Sequence, residues 1–445
     1  MTSSWPVTTR RGQKQDSSGS PRRTACKATC LLGAMAPLDD SLTLCPILGT
    51  LISAAATSWR TATAAEIRRK WKQAVRGGRP EQTGTKVNTH RVSVLSVGSA
   101  QPDAARVIAT GFNVEPEEAV RCIYRAPSVL VEDVEAPVAA ELVKLLNRVG
   151  LEVESQPMTE KPRPPARLYD VGVYVGDERR AVEAADVIGE FMGASRDNVL
   201  DILCTPPGVV LGNVSEATVA ALAERLEGVA ELTHARAEDS TFSIIMATED
   251  GVLKNRVLQD IERHGIELLG NEGLIAREID NRTIRDVWQR HGPSGAIVVV
   301  NEAFLRFNIV LLDVDDDTTA ASAALQRHAG IPAELVDRVI ESRPITLNSA
   351  VLQADVGPIL QAYAEAGMVG QADMITFQQE VLQVTECADA AVLAKMLKHM
   401  GLESPRGSGT ILPFVIPAAL GELDARIWKT ALQDAGLGVE FCGVS

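Results

Sequence analysis

Two stretches far apart in this chain are punctuated alike. Ile123-Tyr124-Arg125-Ala126-Pro127 leads to Leu145-Leu146-Asn147-Arg148-Val149-Gly150, and Ile340-Glu341-Ser342-Arg343-Pro344 leads to Gln361-Ala362-Tyr363-Ala364-Glu365-Ala366-Gly367. In both, the glycine follows the proline by 23 positions without a gap. Proline cannot continue a helix, and glycine takes the left-handed conformation that caps one. Shared punctuation of this kind therefore marks a recurring small unit rather than one large sheet or bundle. A chain of 445 residues is in any case too long for a single core.

From Arg91 onward, short alternating strands and helices follow one another, as compact α+β units require. The spacing predicts a strand over 91–97, helices over 102–111 and 115–125, a strand over 128–134, a helix over 136–149 and a strand over 151–154. Pro116, Glu117 and Glu118 open the second helix, where a fixed φ and negative charge suit a helix start. The order is β-α-α-β-α-β. Further copies begin near 168, 241, 307 and 380, and Gly228 and Gly436 close the last helices of the second and fifth. The predicted fold class is α+β: a tandem repeat of about five small β-α-α-β-α-β two-layer domains preceded by a disordered basic leader.

The expected divisions are a leader over 1–89, unit one over 90–157, a stiff Pro-rich linker over 158–166, unit two over 167–239, unit three over 240–303, unit four over 304–377 and unit five over 378–445. Unit three is the degenerate copy, because 265–295 fits the template poorly. Domains this small have thin cores, so neighbours joined without linkers are expected to pack into a semi-rigid rod.

Charge divides the chain. Residues 1–90 hold 14 Lys+Arg against 5 Asp+Glu, whereas 91–445 hold 30 against 53. The acidic body repels phosphate backbones and favours basic protein partners, so nucleic acid is disfavoured there. An aromatic content of 4% also leaves few platforms for stacking bases. Residues 1–30 are polar and basic without apolar periodicity and are expected to be disordered. The apolar stretch 42–59 is a weak membrane or export signal, since Pro46 interrupts it and Asp39 and Asp40 adjoin it. A short basic helix is expected over 64–75, with Ile67, Trp71 and Val75 on one face. The composition shifts at Val87, and valine can serve as an initiator, so 1–86 also reads as an untranslated leader. Seven scattered cysteines lack the density of a disulfide framework, which points to the cytoplasm.

Glu117-Glu118-Ala119 through Arg125-Ala126-Pro127, followed by 139–153 with Leu142, Leu145, Leu146 and Gly150, resembles the C-terminal domain of the bacterial ribosomal stalk protein, large-subunit protein seven/twelve. That fold is shared with the Clp-protease adaptor. Unit four carries the same signature in Gly330-Ile331-Pro332 and Val339 to Pro344. The resemblance covers single units and implies a binding domain that captures translational GTPases through basic and apolar residues of its first two helices. Arg106 falls at one of the family's two basic positions and is the partner-binding residue it implies. Ala109 occupies the other, and Phe112-Asn113-Val114 stands in place of a glycine-rich turn.

No motif points to chemistry. Cys26 and Cys30 are spaced like half of a metal site without the other half. The six histidines lack paired ligand spacing and are expected mostly at exposed helix ends. Asp313-Val314-Asp315-Asp316-Asp317 begins like a calcium loop, but Thr318 replaces the required glycine and Ala324 the bidentate glutamate. Gly84-Thr85-Lys86 lacks the remainder of a phosphate loop, and 293–295 and 407–409 lack a nucleophile elbow. The expectation is a non-enzymatic interaction or scaffold protein with no catalytic residue, cofactor or metal. The alternatives are a translation-associated factor and an enzyme whose site lies between units.

Overall fold

The structure, a computed structural model, describes residues 65–69, 89–269, 273–315, 318–402 and 412–442. It is mixed α+β, with five three-stranded antiparallel sheets among these residues. Unit one comprises β1 (Thr89–Ser96), α1 (Asp103–Phe112), α2 (Pro116–Tyr124), β2 (Ser128–Glu135), α3 (Ala136–Arg148) and β3 (Glu152–Pro157). Unit two comprises β4 (Leu168–Tyr174), α4 (Ala181–Met192), α5 (Arg196–Leu203), β5 (Val209–Ser215), α6 (Glu216–Leu226) and β6 (Glu231–Ala235). Unit three has β7 (Thr241–Met246), α7 (Gly251–Arg263), β8 (Leu274–Asp280), α8 (Asn281–His291) and β9 (Ile297–Asn301). Unit four has β10 (Arg306–Val314), α9 (Thr318–His328), α10 (Val336–Glu341), β11 (Ile345–Leu352), α11 (Gln353–Glu365) and β12 (Met368–Met374). Unit five has β13 (Gln379–Cys387), α12 (Ala390–His399), β14 (Phe414–Gly421), α13 (Glu422–Asp434) and β15 (Leu437–Cys442).

Local chemistry sets these boundaries. Pro116 opens α2 with Glu117 and Glu118 in its first turn, and the Ser195, Asp250 and Asp280 side chains accept backbone N–H groups at the starts of α5, α7 and α8. Gly150, Gly228, Gly367 and Gly436, with φ of 98°, 69°, 74° and 85°, follow α3, α6, α11 and α13. The bonds Ala126-Pro127, Pro206-Pro207, Arg343-Pro344 and Leu412-Pro413, each just before a second strand, are cis. Units three and five depart from the expected order: among the described residues a single helix joins their first two strands, α7 between β7 and β8 and α12 between β13 and β14.

In every sheet the first strand is central, as in the order β2-β1-β3. Near the end of the second strand, units one to four carry an extra residue. His90 pairs with Val134 and Val92 with Val131, and the shift recurs opposite Tyr169 and Val171, Phe242 and Ile244, and Phe307 and Ile309. The bulge places Asp133, Asn213, Glu278 and Ala350 at φ of 58°, 56°, 57° and 56°. Side chains satisfy the displaced amides: Asn213 N–H donates to Asp170 Oδ1 at 3.1 Å, Glu278 N–H to Glu302 Oε1 at 2.9 Å and Ala350 N–H to Asn308 Oδ1 at 3.1 Å.

Units one and two share one hydrophobic core. α1 buries Ala104, Ala105, Val107, Ile108, Ala109, Gly111 and Phe112, more than one face of a helix supplies. Two neighbours meet it: Gly193, at the end of α4, backs onto Pro102 at its start, and at its other end Arg68 donates to Asn113 Oδ1 at 3.5 Å, with Ile67 in the same core. Likewise β1 is buried continuously over Arg91-Val92-Ser93-Val94, whereas β10 alternates over Phe307–Leu311 with Asn308 and Val310 only half-buried. A strand that does not alternate is covered on both faces, and α6 of unit two packs on β1. Units three, four and five have cores of their own, although Ile245 and Val298 of unit three reach into that of unit four and Leu423 of unit five into that of units one and two. That last contact corrects the expectation of a simple rod: the chain returns, and unit five rests on unit two.

Candidate functional site

Arg106, the partner-binding residue implied by the stalk resemblance, sits on α1 and pairs with Asp103 at 3.2 Å one turn away. The apolar residues of the same helix belong to the core that unit one shares with unit two, and Gly193 of α4 lies against Pro102 at its start. Around it, Tyr124 Oη donates to Phe191 O at 2.7 Å, with the two rings edge to face at 5.7 Å. Thr218 Oγ1 donates to Tyr124 O at 2.9 Å, and Arg225 reaches Gly98 O at 2.8 Å while lying over the Phe191 ring. Burial raises the Tyr124 hydroxyl well above its usual range, against the opposing pull of Arg225, so it remains a donor.

A second joint gathers units two, four and five around Tyr174. Arg306 stacks on its ring at 4.2 Å, donates to Glu231 at 3.0 Å and to Ala350 O at 2.8 Å, and so ties β10 to β6. From the other side, Arg426 of α13 donates to Val175 O at 2.7 Å and Gly176 O at 2.9 Å, and pairs with Glu422 at 2.7 Å and Glu178 at 3.3 Å. Thr430 adds a hydrogen bond to Glu178 at 2.8 Å. The cavity enclosed there, lined by Tyr174, Cys204, Pro207, Phe304 and Arg306, holds only about 50 Å³. That is room for a water or two, well under the roughly 300 Å³ of a small-molecule site.

Unit three contains two buried carboxylates. Asp260 accepts from Arg290 at 2.8 Å and faces His291 Nε2 at 3.0 Å. Burial alone would raise its carboxyl, but His291 and the Arg290 charge hold it below the usual range. His291 is 6% exposed, an exception among histidines expected mostly at exposed helix ends; it belongs to the face that α8 turns inward with Ile284, Val287 and Trp288. Ser294 is turned away, donating to the His291 carbonyl at 2.6 Å, so no Ser-His pair forms. Glu302, 3% exposed, accepts from Thr241 at 2.6 Å, Ser243 at 2.5 Å and the Glu278 amide. Burial raises Glu302, and these donors, the Glu278 amide foremost, outweigh it, so its carboxyl lies below the ordinary range.

A cleft of about 510 Å³ runs between α2, the start of β2 and the linker that leads into β4. Arg121 and Arg125 reach it from α2, Arg163 from the linker, and Ser93 and Ser128 from the strands. Arg163 is held by Glu154 in a fork at 2.7 and 2.9 Å, and Arg125 Nε donates to Asn213 O at 3.2 Å. Arg121 differs: its Nε is buried without a hydrogen-bond partner, and Glu118, one turn earlier, lines the same cleft. Cys122 lines the same cleft with its thiol 3.0 Å from Ser128 Oγ, and burial pushes that thiol up to about 11, too high for a thiolate at neutral pH.

Arg121, Tyr174, Asp260, Arg306 and Arg426 went unremarked in the sequence. The i, i+4 spacing of Arg121 and Arg125 was the available signal, whereas Asp260–His291 and Tyr174–Arg426 join residues without local pattern. Among the described residues no group of three or more His, Cys, Asp or Glu could hold a metal, and no helix is long and apolar enough to cross a membrane. Asp313 pairs with Arg343 at 2.8 Å; Asp316 and Asp317 lie outside the described residues, as do Cys26, Cys30, Cys45, the stretches 42–59 and 84–86 and the loop 407–409. Of the predicted helix over 64–75, residues 65–69 are helical, with Ile67 buried in the core of units one and two. Comparison with protein-family models, with curated proteins and with solved structures finds no match.

Proposed function

We propose that this chain is a non-enzymatic interaction scaffold made of five copies of one small two-layer α+β plan, gathered about unit two. The observation that carries this reading is the convergence of units one, four and five on unit two through specific polar side-chain contacts, at Tyr124, Arg306 and Arg426. The shared central first strand, the bulge in four second strands and the capping glycines support a common plan for the units. With its internal faces spent on one another, the assembly offers its outer surface, and a body carrying 30 basic against 53 acidic residues suits basic protein partners. Affinity capture with the full chain tests this. Basic proteins should be retained at about 0.1 M salt, where the Debye length is about 10 Å, and released at about 1 M, where it is about 3 Å. Recovery of no partner at low salt would contradict the reading.

A translation-associated role, with recruitment of GTPases or docking on the ribosome, is the second reading. What favours it is α9 of unit four, whose Gln326, Arg327 and His328 face solvent rather than another unit. Co-sedimentation with ribosomes is its expected outcome, and absence from ribosomal fractions eliminates it.

A further inference from the structure

We propose that the cleft between α2, the start of β2 and the inter-unit linker is a binding site for a small organic anion, a carboxylate or phosphate monoester with an apolar body, seated on Arg121. A buried guanidinium nitrogen without a partner is costly, and a native structure that retains one calls for a ligand or ion to complete it. Arg121 Nε is such an atom, and its side chain reaches a cleft of about 510 Å³, within the size range of small-molecule sites.

The surroundings define the ligand. Arg163 is already neutralised by Glu154, and Arg125 is anchored on the Asn213 carbonyl, so Arg121 is the cation left to meet an incoming anion; Ser93 lines the cleft with it, the Ser128 hydroxyl is committed to the Cys122 carbonyl, and the Glu118 carboxylate at the cleft edge favours a singly charged ligand. A planar guanidinium matches the two oxygens of a carboxylate or phosphate in a fork. Pro127, Val129, Pro165 and Leu168 give the same cleft its apolar wall, and Val129 is 42% exposed although it is a strand residue. An anionic head with an apolar body satisfies both halves; a bare anion satisfies one. The linker supplies part of the wall, so the site exists only where unit one is joined to unit two. This is a different property from the capture of basic partners on the acidic surface, and either can fail without the other.

Isothermal titration of the full chain with phenyl phosphate, benzoate and inorganic phosphate tests the site. Phenyl phosphate or benzoate should saturate a single site, and inorganic phosphate should bind at least tenfold more weakly; which of the first two binds tighter separates a phosphate from a carboxylate ligand. Arg121→Gln should weaken binding at least tenfold, and Val129→Asp, an exposed change that adds negative charge to the wall, should do the same with an unchanged melting temperature. Arg290→Gln, which alters an exposed charge in unit three, should leave binding intact. Equal affinity in wild type and Arg121→Gln, or no heat from either aromatic anion, would overturn the proposal.

Discussion

Asp170 shows how a single side chain holds a strand irregularity and what that costs. Its carboxylate accepts the Asn213 amide displaced by the bulge in β5, and burial raises its pKa to about 6 against the lowering effect of that amide. A carboxyl raised in the folded state contributes stability that is present below the unfolded value near 4 and lost as pH rises through 6. Every tenfold gain in proton affinity on folding corresponds to about 1.4 kcal/mol, so the penalty at neutral pH is at most about 3 kcal/mol. Asp170→Asn keeps an oxygen for the Asn213 amide and removes the charge. It should stabilise the chain by about 2 kcal/mol at pH 8, and the gain should vanish towards pH 4, as read by urea unfolding across that range. The bulge itself could not be read from sequence. Asp133, Asn213, Glu278 and Ala350 have no common chemistry, and only strand register reveals that they share a left-handed conformation.

Among elements, the helix ends were the most legible. Pro127 and Gly150, and Pro344 and Gly367, bracket a strand and a helix as their spacing implies, because proline and glycine act through local backbone sterics. Helix and strand type followed from apolar periodicity for the same reason. The capping glycines are nevertheless not equivalent. At Gly150, with φ of 98°, an added Cβ would lie 2.8 Å from the Ala100 amide nitrogen and 2.9 Å from Ser99 C, backbone atoms that cannot move aside. At Gly436, with φ of 85°, a Cβ would meet nothing within 4 Å. Gly436→Ala should therefore cost only the left-handed penalty of about 1 kcal/mol, while Gly150→Ala should cost about 3 kcal/mol or more, since a steric clash is added to it. Thermal unfolding of the two variants separates them. Unit three, expected as the degenerate copy, spans β7 to β8 with one helix among the described residues, and α1 contributes its apolar residues to a core shared with unit two. A helix pattern shows that a face is apolar, not which surface will cover it.

At the scale of the whole molecule, the return of unit five to unit two was the least legible feature. Tyr174 and Glu178 lie about 250 residues before Arg426 and Thr430, and no local period links them. The joint is largely polar, built on Arg426, Glu178, Glu422 and Thr430, with Leu423 its main apolar contact, so it relies on charge-assisted hydrogen bonds, about 1.5 to 3 kcal/mol each, more than on buried area. A chain closed in this way presents a fixed surface, whereas an open array would not. Hydrogen–deuterium exchange of the full chain, wild type against Arg426→Ala, tests that closure most directly. The closed arrangement predicts that loss of Arg426 raises exchange together in 174–178 of unit two and in α13 of unit five, while α1 and α4 keep their protection. An unchanged pattern in both segments would contradict a scaffold gathered about unit two and return the molecule to an extended array.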